Sequence, residues 1–154
     1  MVVTVLTGAL LAGVGQPAMA QAWRRAHASP ITVQAREPWN DSGLSVAAGQ
    51  RLRITATGEW TDWTIKTDPA GFTRASMKPF EGMRRAPKAP WFALIGCVER
   101  SKANCFVVGR EVELAAPTAG RLYFFANDVS FMNWNNKGHV EVVVETAAGG
   151  PTGS

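Results

Sequence analysis

Arg51-Leu52-Arg53-Ile54-Thr55-Ala56-Thr57 alternates polar and apolar side chains along its whole length. In an extended chain successive side chains leave opposite faces, so this stretch buries Leu52, Ile54 and Ala56 and turns its arginines and threonines to water. The turn Ala48-Gly49-Gln50 leads into it. The same pattern appears to either side. Ile31 to Arg36 sets Ile31, Val33 and Ala35 against Thr32, Gln34 and Arg36, and His139 to Glu145 buries Val140, Val142 and Val144 while exposing Glu141 and Glu145. Leu122-Tyr123-Phe124-Phe125-Ala126 is apolar on both faces, which predicts a strand in the middle of the fold. Trp91 to Val98 and Cys105 to Val108 are apolar runs, Glu111-Val112-Glu113-Leu114 reads as a strand with a charged face, and Pro38-Trp39-Asn40-Asp41-Ser42-Gly43 reads as a break. No stretch sustains a helical period, and turn signals recur between short runs. The prediction is an all-β domain, a two-sheet antiparallel β-sandwich.

The totals fit one such domain, over residues 31–147. The chain has 154 residues, 46% hydrophobic and 18% charged, enough to bury a single core. Residues 1–20 differ: Val2 to Val14 is almost wholly apolar or small, and Ala18-Met19-Ala20 has the small-x-small pattern of a signal-peptidase site, although no Lys or Arg precedes the apolar run. The run is shorter than the ~20 apolar residues that span a bilayer, so the expectation is a signal peptide, a secreted or periplasmic product, and no integral membrane segment after cleavage. Residues 21–30 read as a flexible lead-in and 148–154 as a disordered tail. Cys97 and Cys105 flank the polar loop Val98 to Asn104, where two strands hold them opposite each other; in an oxidising compartment that predicts a disulfide. The net charge of +4 includes eleven Arg, yet no basic run exceeds two residues (Arg24-Arg25, Arg84-Arg85), which argues for a solvated surface and against a nucleic-acid partner.

Two stretches remain for function. Residues 64–90 hold Pro69, Pro79, Pro87 and Pro90 and predict a long irregular excursion, a kind of loop more often functional than idle. Asn127-Asp128-Val129-Ser130-Phe131-Met132-Asn133-Trp134-Asn135-Asn136-Lys137-Gly138 is dense in side-chain oxygen. Calcium takes six to eight oxygen ligands from carboxylates, amides and carbonyls. Asp128, Asn135 and Asn136 supply three or four, and a carbonyl such as that of Met132 adds another; the same residue types are also ordinary turn formers. Catalytic signatures are missing: there is no nucleophile elbow, no phosphate loop and no metal-type His pair. A hydrolytic carboxylate pair drawn from Glu99, Glu111, Glu113 or Asp62 has nothing in its spacing to favour it. The chain reads as a binding protein, not an enzyme.

From Ser42 to about Val144 the sequence resembles the PA-I galactophilic lectins, small calcium-dependent bacterial galactose-binding sandwiches. The likeness rests on Ala48-Gly49-Gln50 through Ile54 to Gly58-Glu59-Trp60, on Trp91 to Gly96, and above all on Asn127-Asp128-Val129 with Asn135-Asn136 and Gly138. It implies a jelly-roll-like, galactose-binding-domain-like sandwich. It also implies a calcium site from the side chains of Asp128, Asn135 and Asn136 with the carbonyls of Met132 and Trp63, the ion binding two neighbouring sugar hydroxyls. The implied ligand contacts fall on Trp63, Asp128, Val129, Trp134 and Asn135, and the implied partner is a carbohydrate, galactose-type or another diol-bearing glycan. Two departures bear on specificity. The His and Gln that read the primary hydroxyl of galactose in that family fall near Arg74 to Pro79, where neither occurs, and the Pro and Gly residues of the 127–138 loop in the relatives are replaced by Ser130, Phe131, Asn133 and Trp134; Met132 stands in place of a small Thr, which a carbonyl ligand tolerates. Trp63 and Trp134 flank the implied ion as a stacking platform or as plain surface, while Trp39, Trp60 and Trp91 read as core or core edge. Lys78, Arg84 and Arg85 are either contacts to an acidic glycan or surface. The rival expectation is a non-catalytic structural or interaction sandwich of the envelope, with a stabilising calcium or none. Either reading leaves a homo-oligomer open.

Overall fold

The structure, a computed structural model, describes residues 20–150. The expected signal peptide, save residue 20, and residues 151–154 of the expected tail lie outside the described residues. Ten strands follow in order: β1 Trp23–Arg25, β2 Ile31–Gln34, β3 Asn40–Val46, β4 Arg51–Asp62, β5 Ile65–Thr67, β6 Leu94–Val98, β7 Cys105–Val107, β8 Glu111–Ala115, β9 Gly120–Ala126 and β10 Asn136–Ala147. They form two antiparallel sheets. In one, the long strands β4 and β10 lie side by side from Asp62 opposite Asn136 to Leu52 opposite Thr146; β1 and β2 flank β10, while β5 and β8 flank β4. The other runs β3-β9-β6-β7. The sandwich is as the sequence predicts. No helix among the described residues is long and apolar enough to cross a membrane.

Alternation builds the space between the sheets. Leu52, Ile54, Ala56, Val140, Val142 and Val144 meet Leu94, Val98, Leu122, Phe124 and Ala126 in one core. Trp60 closes its upper end, fully buried, with its indole N–H donating to the carbonyl of Phe92 at 3.1 Å and its ring edge-on to that of Phe92. A second, smaller core lies on the outer face of the β9–β6 sheet, where Ala93, Ile95, Cys97 and Phe125 pack with Ala89, Ala86 and Trp39. The two-faced apolar character of residues 122–126 therefore has a cause: part of the 64–90 excursion roofs the sheet. Cys97 and Cys105 are Cα partners of the β6–β7 pair and are disulfide-bonded.

Three local expectations change. The lead-in contains β1, whose residues 23–25 pair with 145–147, anchored by Trp23 beneath the guanidinium of Arg53 at 4.4 Å; three residues are too few to show a period. Asn40–Val46 is a strand and not a break. Its turn-forming residues are absorbed by a register shift between Asp41 and Ser45, Gly43 has φ +79°, and the Asn40 side chain bonds both backbone groups of Gln34 and the carbonyl of Phe124. Within the excursion, Ile65–Thr67 forms β5 and Ala75–Met83 a 3-10 helix.

Candidate functional site

At one end of the sandwich the β4–β5 turn stands beside the β9–β10 connection, because β4 ends at Asp62 directly opposite Asn136, the first residue of β10. The inward alternation of β4 that buries Leu52, Ile54, Ala56 and Trp60 continues to Asp62, which is 8% exposed. Gly138, at φ +82°, sits opposite Trp60; a Cβ there would stand 3.2 Å from the carbonyl of Glu59, so glycine lets β10 close on β4 beneath the site.

The connection is clamped from behind. Asn127, fully buried, donates its side-chain amide to the carbonyls of Ala86 (2.9 Å), Ala89 (3.2 Å) and Pro90 (2.9 Å), and its Oδ1 accepts the N–H of Ala86 at 2.9 Å. The N–H of Arg85 donates to the carbonyl of Asp128, and Arg84 forms an isolated bridge with Val129. Arg84 and Arg85 are structural. Arg84 is buried, stands 5.1 Å from the Trp91 ring and donates to the carbonyl of Pro87. Arg85 lies over the rings of Phe125 and Trp39, and burial lowers its pKa to about 10. Neither lines the cavity that the clamp holds open.

That cavity, of about 500 Å³, brings Asp62, Trp63, Asp128, Val129, Met132 and Asn135 together with an apolar wall from the 3-10 helix, Met77, Phe80 and Met83, and from Phe131; Thr64, Ile65, Trp91 and Arg74 also line it. Among the described residues six large apolar side chains are exposed, and four of them, Trp63, Phe80, Met83 and Phe131, line this one cavity. Such concentration marks a binding surface, since singly scattered apolar residues are the norm. Trp134 is exposed but lies off the lining, with its carbonyl accepting from Arg36 at 2.8 Å.

The polar groups at the cavity and just beneath it are short of partners; of these Asp128 and Asn135 line it, while Asn133 and Asn136 do not. Asp128 and Asn136 are 3% and 2% exposed, and Oδ2 of Asp128 and Oδ1 of Asn136 are buried without a hydrogen bond, as are Oδ1 of Asn135 and Oδ1 of Asn133. The other Asp128 oxygen accepts the N–H of Val129 at 2.7 Å, the Asn136 amide donates to the carbonyl of Ala35, and the Met132 carbonyl accepts the N–H of Asn135 with a lone pair to spare. Buried oxygens left bare cost about 1–3 kcal/mol each, more when charged. Bare, oxygen-only and partly anionic, the set fits a hard cation such as calcium. Among the described residues no group of three or more His, Cys, Asp or Glu forms a metal cluster, so a cation here draws on amide and backbone oxygen beside carboxylate.

Asp62, in sequence one of several scattered acids, is set apart by its surroundings. Burial, and then the neighbouring charge of Asp128, push its pKa up to about 6. Asp128 is raised too, by burial, offset in part by the Val129 N–H and the Asn136 amide. A carboxyl whose pKa is higher folded than unfolded takes up a proton on folding, so its contribution to the stability of cation-free protein falls as pH rises from 3.8 to about 6. Asp62→Asn is therefore expected to raise the stability of chelator-treated protein at pH 7.5 by on the order of 2 kcal/mol and to change it little at pH 3.5, read as the difference between the two melting curves.

No protein-family model matches the chain, and no curated protein does. Among solved structures, the N-terminal domain of EclA, described as a PllA-like lectin, matches with a TM-score of 0.58 at 19% identity, over 77% of this chain and 95% of that one. The likeness is one of fold.

Proposed function

We propose that the protein binds carbohydrate through a calcium ion held by Asp128, Asn135 and Asn136 with the carbonyls of Met132 and Trp63. The observation that carries this reading is the gathering of unpartnered oxygens of Asp128, Asn135 and Asn136 beside a cavity walled by Trp63, Phe80, Met83 and Phe131. Calcium, when bound, supplies direct coordination of two neighbouring hydroxyls of the sugar. The chain's own side chains do the rest. Aromatic and thioether groups receive the apolar face of a sugar ring or its aglycone, and the guanidinium of Arg74 at the cavity offers hydrogen bonds in the region where the galactose-reading His and Gln are missing. The proposed ligand is a diol-bearing glycan, galactose-type without strict confinement to galactose.

Trp63 is the residue to probe. It is 73% exposed and held at φ +50°, a left-handed conformation that costs an L-residue about 1–2 kcal/mol. Trp63→Gly relieves that strain while removing the ring, so the expected outcome is an unchanged or higher melting temperature together with about tenfold weaker sugar binding; retained affinity would remove Trp63 from the ligand contacts.

The proposal is tested by calorimetric titration of calcium into chelator-treated protein, followed by methyl glycosides with and without calcium. Calcium binding followed by calcium-dependent sugar binding is the expected result. Calcium binding without sugar binding would leave the ion as a staple of the loop in a structural sandwich, a reading that the burial of the Asp128 and Asn136 oxygens favours.

A further inference from the structure

We infer that Asp62 is a second carboxylate ligand of the cation, so that the site carries two negative charges instead of the one supplied by Asp128. The inference rests on the cation site just proposed. Asp62 ends β4 opposite Asn136 and lines the same cavity as Asp128 and Asn135. It is 8% exposed, and no hydrogen bond or ion pair of its side chain occurs among the described residues, although several acids that remain on the surface are paired: Glu59 with Lys66, Asp68 with Arg110 and Asp41 with Arg121. Arg74, the basic residue that shares the cavity lining, forms no ion pair with it. A carboxylate withdrawn from water without a partner is costly, and a second one beside it makes the cost greater. The unpartnered oxygens of Asp128 and Asn136, both more than nine-tenths buried, supply the independent sign that something positively charged and oxygen-seeking belongs between them.

Two carboxylates match the charge of a divalent ion, whereas Asp128 alone leaves half of it unbalanced. Ligand charge is a principal control of calcium affinity, so the site is expected to bind more tightly than the ~10⁻⁴ M of a weak extracellular module. A trivalent lanthanide gains still more from the second charge. Trp63, next in sequence to Asp62 and on the same cavity, is placed to sensitise terbium luminescence.

The test is titration of chelator-treated protein with terbium, read by tryptophan-sensitised emission, and with calcium, read by calorimetry. The variants are Asp62→Asn, Asp62→Ala, Asp128→Asn and, as a control on the same strand outside the cavity, Glu59→Gln. Melting curves in chelator establish that each is folded. Asp62→Asn, which keeps an oxygen but not the charge, is expected to weaken binding of both ions by about 10- to 100-fold, Asp62→Ala to weaken it further, and Glu59→Gln to leave it unchanged. If Asp128→Asn abolishes binding while both Asp62 variants bind as wild type, Asp62 is not a ligand and the proposed calcium site stands. Equal losses in Asp62→Asn and Asp62→Ala that vanish in high salt would reduce Asp62 to a distant field and overturn its role as a ligand. If neither Asp128→Asn nor the Asp62 variants alter binding, the cation site itself is overturned.

Discussion

Asn127→Ala is expected to lower the melting temperature by on the order of 10 °C and to open the segment around residues 84–90 to protease. In a fully buried position the side chain shares its two amide hydrogens among three carbonyls of that segment and accepts the N–H of Ala86. Truncation strands all four partners. At a net value near 1 kcal/mol per bond, with added cost for groups left dry, the loss is about 3–4 kcal/mol. In a domain of this size each kilocalorie moves the midpoint by a few degrees. The segment it releases roofs the outer core and continues from the 3-10 helix that walls the cavity, so ligand binding should fall with it. Asn127→Asp makes the assignment specific: it keeps the shape but has no amide hydrogens for the three carbonyls, and it should be no better than Ala. A melting temperature within a degree or two of wild type for both variants would contradict the clamp.

Asp128→Asn is expected to abolish the rise in melting temperature that calcium produces. If calcium binds with a dissociation constant no weaker than about 10⁻⁴ M, a concentration near 10 mM stabilises the folded state by about 2.7 kcal/mol or more, several degrees in the midpoint. The variant loses that increment. In chelator it should be at least as stable as wild type, because burial holds the Asp128 carboxyl above the usual carboxylate range and the amide removes a charge from that setting. Greater stability without calcium and none gained with it is the signature of a cation ligand. A structural acid would show the reverse, a loss without calcium and an undiminished gain with it.

The legible parts of the fold are those with a period. Leu52, Ile54 and Ala56, with Val140, Val142 and Val144, are buried as their alternation requires, and β4 and β10, the strands that carry them, are the longest pair. The same alternation, carried four residues past Gly58, would have turned Asp62 inward with Trp60; the polar Thr57-Gly58-Glu59 ended the pattern too early to the eye. Asn40–Val46 was obscure because Asn, Asp, Ser and Gly are turn residues by local preference, and only pairing with β9 makes them a strand. Arg85 could not be assigned from charge alone, since the aromatic surfaces it covers, Trp39 and Phe125, come from distant parts of the chain, and the Trp91 ring beside Arg84, though only seven residues on, is brought there by the fold of the excursion. The oxygen-rich loop was visible as composition. Which of its oxygens lack partners is a property of packing.

Recognition of sugars through a calcium ion at the Asp128 loop is the proposed activity. It is tested most directly by a glycan array probed with folded protein in calcium and again in chelator, with Asp128→Asn beside it. The expected result is binding to diol-bearing glycans in calcium that chelator removes and the variant lacks. No signal for any such glycan with calcium-loaded protein, or a signal indifferent to both chelator and Asp128→Asn, would contradict it.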